Sequence, residues 1–413
     1  PRLTLNPVSA NHSFFWSKPS QSLTLMGCGS LLSINTHGHE RFVSLKQRYN
    51  ELLNQWSGEE LPCAFIVFAF DADDPMQGCW DKLPNTLLTI PEFVIEDKRH
   101  QQRLVINLHI NQTNIDELFH KIASTLGCLT QPKPGIQIQP DEPVNAAALV
   151  QAGSKNREKW LQLTRKAIRD IQSGQLEKLV TSRQINVNTD RPIDVSHLLE
   201  QLICFYPTCS IFSYQTLGKT MLAASPERLL SLNNRYIRSD AIGGTLSRAP
   251  ESLLKLSANE NKLLNEHAII AEDIYRRLDP YCHVLKMPVN PLLMKLHNMY
   301  HLETPVSGQL REQKNIFDII DTLHPTPAIA GYPAEQAQQW LIQNECYNRG
   351  WYTGACGWIR GTEQGELSVL LRCALIEANQ ACLFAGAGLV AESVAEQEWQ
   401  ETELKINTIL NML

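Results

Sequence analysis

Apolar positions recur along this chain with two rhythms. Trp160 to Ile171 repeats them at helical spacing and stops at Ser173-Gly174, whereas Leu176 to Val187 has the β-branched character of a strand. The same reading predicts strands over Ala223–Leu232 and Tyr236–Ile242, joined as a hairpin across Asn233-Asn234. It predicts helices over Leu253–Leu264 and Glu266–Leu278, then strands near Tyr300 and over Gly354–Ile359, Leu367–Ile376 and Ala381–Ala385. A tail helix follows Ser393, with Trp399, Ile406 and Leu410 on an apolar face and Glu398, Glu401 and Lys405 along a separate stripe. In the first third the spacing predicts helices over Phe42–Trp56 and Ile115–Leu126. Strands are expected over Leu61–Phe70, Leu87–Ile90 and Arg103–His109.

Strands and helices come in runs rather than strict alternation, which predicts an α+β fold. The prolines and glycine of Leu129–Val144 predict a linker, dividing the chain into an N-terminal region, 1–145, and a second region, 146–413. No internal repeat or low-complexity tract is visible.

Composition narrows the function classes. With 413 residues, 43% hydrophobic and 19% charged, the chain is long enough for one large unit or two smaller ones. A net charge of −6 argues against nucleic acid or an anionic membrane as partner, but leaves room for an anionic substrate in a local basic pocket. The 11 cysteines contain no CxxC pair and predict reduced thiols in a cytoplasmic protein. No apolar run approaches the ~18 residues of a membrane helix.

Candidate chemistry lies where charges interrupt apolar patterns. Lys178 stands between Leu176 and Val180 on one strand face, either as an edge-strand guard or as a buried amine able to act as a base. Glu266 falls on the apolar stripe of Leu263, Ile270, Ile274 and Leu278, so it needs a cation: a nearby arginine, or a metal shared with Glu401. Two carboxylates with water and substrate oxygens suit Mg²⁺, and no His/Cys spacing suggests zinc. Arg372 interrupts the Leu367–Ile376 strand and needs a buried acid or a ligand carboxylate. Gly386 and Gly388 form either a tight turn or a bare-backbone approach to that ligand. Glu227, after Ala224-Ser-Pro226, reads by itself as an exposed turn carboxylate, and Asp71–Asp74 as a solvated turn without EF-hand spacing. Gly386-Ala-Gly-Leu-Val-Ala391 fits a dinucleotide-binding pattern, yet no second strand with its acidic residue follows, so that reading is rejected.

Jointly, several segments resemble the chorismate-utilising enzymes. They are Leu176-Glu-Lys-Leu-Val180, Ala224-Ser-Pro-Glu-Arg-Leu229, Ile242-Gly-Gly-Thr245, Asn265-Glu-His267, His324-Pro-Thr-Pro-Ala328, Leu371-Arg-Cys-Ala374, Phe384-Ala-Gly-Ala-Gly-Leu389 and Glu398-Trp-Gln-Glu401. Within that family the chain looks most like the isochorismate synthases of menaquinone biosynthesis. The resemblance implies one large α+β unit with a central β-sandwich, in which the N-terminal region is integrated. It implies Mg²⁺ held by Glu266 and Glu401, with Glu398 in the outer shell, and Arg372, Tyr352, Gly386 and Gly388 around the enolpyruvyl carboxylate of chorismate. Lys405 would lie near the metal-bound carboxylate, and Gly244, Thr245, His301 and Thr326 would line the ring. Lys178 would activate water for attack at C2, and Glu227 would protonate the departing C4 hydroxyl. A lysine at 178 sets the chain apart from ammonia-using anthranilate synthases, so no glutamine amidotransferase subunit is expected. The alternatives are a salicylate synthase, which also eliminates pyruvate, and a non-catalytic chorismate-binding protein. Leu263 departs from the pattern, because some relatives carry an acid there.

Overall fold

The computed structural model describes residues 12–99, 101–109, scattered positions between 114 and 123, 149–150, 154–247, 256–296 and 299–413. The expected linker Leu129–Val144 lies outside the described residues, as does much of the expected helix over 115–126. Two large sheets, of eleven and ten strands, are built entirely from antiparallel pairs. In the first, the path runs from Gly331–Tyr332 through Lys178–Asn188, Gln380–Leu389, Cys373–Glu377, Lys219–Ser225 and Ser210–Thr216. It continues through His12–Lys18, Leu23–Cys28, Phe93–Lys98 and Gln101–Ile106. In the second, Met299–Leu310, Tyr236–Ser247, Arg228–Asn233, Gln364–Val369 and Ala355–Arg360 are followed by Cys63–Phe68, Thr86–Ile90 and Leu32–Thr36. Residues before 145 therefore join both sheets: His12–Lys18 pairs with Ser210–Thr216, and Cys63–Phe68 with Ala355–Arg360.

Strand alternation builds the layers. On His12–Lys18, Phe14 and Trp16 point into the core between the sheets, against Phe65, Val67 and Cys356, while Phe15 points outward among the residues beneath helix Val195–Phe205. Ile406 and Ile409 seat the tail helix Ala395–Leu410 on that same outer face. The outer face of the second sheet is covered by Phe42 and Leu45 of Arg41–Asn54, Ile270 and Ile274 of Leu256–Leu278, and Phe317 and Ile320 of Ile316–Leu323. The result is an α+β sandwich with helices outside both sheets. Among the described residues no helix is long and apolar enough to cross a membrane. The ten described cysteines are free thiols.

Four expectations need correction. The two helices expected over 253–264 and 266–278 are one, Leu256–Leu278, with Glu266 mid-helix. The hairpin turns at Asn234-Arg235, both at positive φ (48° and 67°), with Asn233 already paired to Tyr236. The strand expected over Ala223–Leu232 is two strands in different sheets, parted at Pro226-Glu227. The strand expected over Leu367–Ile376 divides likewise into Gln364–Val369 and Cys373–Glu377. At both places the chain crosses between sheets, and the crossings are tied together. The Ala224 N–H donates to the Arg372 carbonyl at 3.1 Å, and the Val369 N–H to the Glu227 carbonyl at 3.0 Å.

Candidate active site

The crossings leave Glu227 and Arg372 free of the strand alternation, and both side chains line one cavity. Arg372 has φ 48°, a left-handed conformation unusual for a side chain of its size, which marks a site where backbone strain is tolerated. Glu227 is only 3% exposed, so it is not the exposed turn carboxylate that its local sequence suggests. Burial, offset in part by Lys178, pushes its pKa up to about 8.

Lys178 opens the long strand Lys178–Asn188 and is 1% exposed, which excludes a solvated edge guard. Its Nζ donates to Glu266 Oε1 at 2.7 Å. Glu266 enters from the helical stripe of Leu263 and Ile270, as its spacing requires. Gly388, on the neighbouring strand, faces both: a Cβ there would sit 2.2 Å from Glu266 Oε1 and 2.9 Å from Lys178 Nζ. A residue without a side chain lets the strand approach the pair this closely while both side chains stay in place.

The tail helix supplies the far side. Glu401 and Lys405, four apart and one turn along the helix, pair at 2.7 Å, and Lys405 also donates to the Gly386 carbonyl at 2.9 Å. Thr245 Oγ1 donates to Glu401 Oε1 at 2.9 Å. Thr245 is aimed inward by a bulge between Gly243 and Thr245, where Gly244 takes φ 68° against Leu263. His301 lies directly opposite Thr245 in the ladder. An arginine only donates, so His301 Nε2, 2.8 Å from Arg372 Nη2, is the acceptor and the ring proton sits on Nδ1. Burial, with Arg372 and Lys405 nearby, holds His301 well below the usual histidine pKa, so it stays neutral. Among the described residues Arg372 thus has neutral hydrogen-bond partners only, His301 and the Met299 sulfur, and none for its buried Nη1. Tyr352 reaches the same cavity, stacked on Phe384 at 5.2 Å.

The structure brings Lys178, Glu227, Glu266 and Glu401 to this one cavity, together with Gly244, Thr245, His301, Tyr352, Arg372, Gly386, Gly388 and Lys405. Thr326 and Glu398 are buried (2% exposed each) and are not part of its wall. Thr326 instead begins the turn whose next residues, Ala328 and Ile329, do line it. Those two were missed, as were Val180 and Thr353, because apolar or small wall residues leave no signal distinct from core. Asp74 also departs from expectation. It is buried and accepts the Gly350 N–H at 2.9 Å, bracing the segment that carries Tyr352.

With Glu227 holding its proton at neutral pH, the basic side chains of the cavity, Lys178, Arg372 and Lys405, outnumber the acidic ones that face them, Glu266 and Glu401. Such a cavity favours an anion. Among the described residues no three His, Cys, Asp or Glu side chains cluster as a self-sufficient metal site. The donor set of two carboxylates fits a hard ion that keeps water and takes substrate oxygens.

The fold and cavity define a class. A model of the family described as chorismate binding enzyme matches residues 3–413, and the chain belongs to that family of enzymes. Isochorismate synthase MenF of Bacillus subtilis (strain 168) is 29% identical over 423 residues, spanning 97% of this chain and 87% of its own. The salicylate biosynthesis isochorismate synthase of Pseudomonas aeruginosa is 28% identical over 414 residues, spanning 97% and 84%. The solved structure of MenF, the menaquinone-specific isochorismate synthase from Escherichia coli, superposes with a TM-score of 0.78, covering 98% of this chain and 90% of its own. At 22% identity it speaks for the fold alone.

Proposed function

We propose that the protein is an isochorismate synthase, an isomerase that converts chorismate to isochorismate in menaquinone biosynthesis in the cytoplasm. The observation that carries this reading is the shared cavity of a buried amine, Lys178, a buried carboxyl, Glu227, and two further carboxyl groups, Glu266 and Glu401. Lys178, acting as the free amine, takes the proton of a water that attacks ring carbon C2. The ring double bonds shift, and the C4 hydroxyl departs as water with the proton of Glu227. Hydroxide is a poor leaving group, so an acid that holds its proton at neutral pH is what the step needs. Arg372, whose guanidinium has no anionic partner among the described residues, binds the enolpyruvyl carboxylate beside Tyr352 and the amides of Gly386 and Gly388. Thr245 and His301 bound the ring.

Glu266 and Glu401 are the residues that would hold Mg²⁺, with Lys405 beside Glu401 and Glu398 one turn earlier on the helix in an outer shell. The bound ion would supply positive charge to the ring carboxylate. Water as nucleophile needs no amidotransferase partner. Incubation with chorismate and Mg²⁺, followed by proton NMR and salicylate fluorescence, tests the reading. Isochorismate as the sole product supports it. A fluorescent product would make the protein a salicylate synthase, and binding without turnover would make it a non-catalytic chorismate binder.

A further inference from the structure

Glu345 and Arg349 form a buried ion pair outside the roles given above, with side chains only 4% and 2% exposed. Arg349 grips Glu345 with two donors, Nε to Oε2 and Nη2 to Oε1, each at 2.7 Å. Its remaining contacts go elsewhere: Nη2 to the Val180 carbonyl at 2.7 Å, and Nη1 to the Ile329 carbonyl at 2.9 Å and Thr353 Oγ1 at 3.3 Å. Glu345 Oε1 also accepts the N–H and the hydroxyl of Ser182, at 2.8 and 2.7 Å.

These contacts lie where two strands part. Gly331–Tyr332 pairs with the Lys178 strand at Leu179 and Lys178, and two further bonds flank the pairing, from the Glu177 N–H to the Tyr332 carbonyl and from the Val180 N–H to the Ala330 carbonyl. Beyond the latter, Ile329 and Ala328 diverge from Val180, and all three line the cavity. That divergence would strand a buried carbonyl on Val180 and a buried N–H on Ser182, which folded chains avoid. Arg349 takes the first and Glu345 the second.

We propose that the Glu345–Arg349 pair replaces the missing ladder, and that the two act as positioning residues for the proposed isomerisation, on which this inference rests. They fix the Lys178 strand against the walls at Ile329 and Thr353 while the cavity stays open. A planar fork is required, because a lysine amine cannot hold both oxygens of Glu345 and carbonyls on two separate segments at once.

The test is Arg349→Lys in the full chain, read by kcat, KM for chorismate, thermal midpoint and amide hydrogen exchange. The variant is expected to fold, with kcat lower by roughly tenfold to a hundredfold and KM within about threefold, since small misplacements act on the chemical step. The amides of Val180 and Ser182 should exchange faster, while Val187 and Asn188 keep the parent's rates. A lower midpoint with parental kcat and KM would reduce the pair to a structural role and overturn the proposal, as would unchanged exchange at Val180 and Ser182. Should Arg349→Lys not fold, Glu345→Gln, which keeps shape and loses charge, is judged by the same readouts. If the parent fails to convert chorismate, the function falls, and the exchange data still decide whether the pair holds the strand.

Discussion

Two clusters of charge, each largely buried, are built on opposite principles. Lys18, Arg228 and Arg238 meet Glu366, Asp240 and Glu303 in the first. Arg228 bridges Asp240 at 2.8 Å and Glu366 at 3.2 Å, Arg238 bridges Asp240 at 2.6 Å and Glu303 at 3.1 Å, and Lys18 reaches Glu366 at 3.7 Å. Every charge there has an opposite. In the cavity, Arg372 leans on neutral atoms, and the Glu227 carboxyl has no hydrogen-bond partner among the described residues. Glu227 and Arg228 are neighbours in sequence, yet Glu227 sits at the crossing and Arg228 opens the next strand, and one side chain goes to each cluster. A satisfied cluster holds the fold together, whereas unmatched polarity is a capacity to bind.

Substitutions can break or sharpen that contrast. The largest effect is expected from Lys178→Ala: chorismate turnover should fall by roughly 10²- to 10⁴-fold with the circular dichroism spectrum unchanged. A parental rate would remove Lys178 as the base. Next, Arg228→Met leaves Asp240 and Glu366 without their shared cation and should cost about 3–5 kcal/mol in denaturant unfolding. A loss below about 1 kcal/mol would mean that the first cluster is not what holds the sheets.

Arg372→Met is expected to raise the chorismate KM by about tenfold or more, the worth of a lost charged hydrogen bond, with stability changed by less than about 1 kcal/mol. If it unfolds the protein as Arg228→Met does, the two clusters do not differ in kind. The mildest effect concerns pH. A proton donor whose pKa is about 8 should make kcat/KM decline above about pH 8. The sign for stability agrees: the carboxyl has a higher pKa folded than unfolded, so its contribution is full below about pH 4.5 and is lost as pH rises through about 8. Thermal midpoints of the parent and Glu227→Gln, compared from pH 5 to 9, should diverge in that direction. Parallel curves would show that Glu227 is not held protonated.

Much of this was legible in the residues. The Leu263, Ile270, Ile274 stripe placed Glu266 on a buried face, and the strand pattern around Lys178 placed an amine where apolar residues belong. The crossings were not legible. Leu367–Ile376 and Ala223–Leu232 each read as one strand, because leaving a sheet is a tertiary event and the β-rich residues on either side of Arg372 and Glu227 carry no mark of it. Glu227 therefore looked exposed, since burial by a second sheet cannot be read from Ser-Pro-Glu alone. Thr326 was placed at the ring by its motif, but the backbone around the turn presents Ala328 and Ile329 instead.

The paired crossings have a mechanical consequence. The bond from 224 to 372 extends a ladder of the first sheet and that from 369 to 227 a ladder of the second, so Arg372 rides with one sheet and Glu227 with the other. The span between them behaves as the gauge of a caliper whose jaws are the two sheets, set by the packing of the sandwich between them. A change in the core between the sheets, even one far from the cavity, would then alter the measure it takes of a ligand.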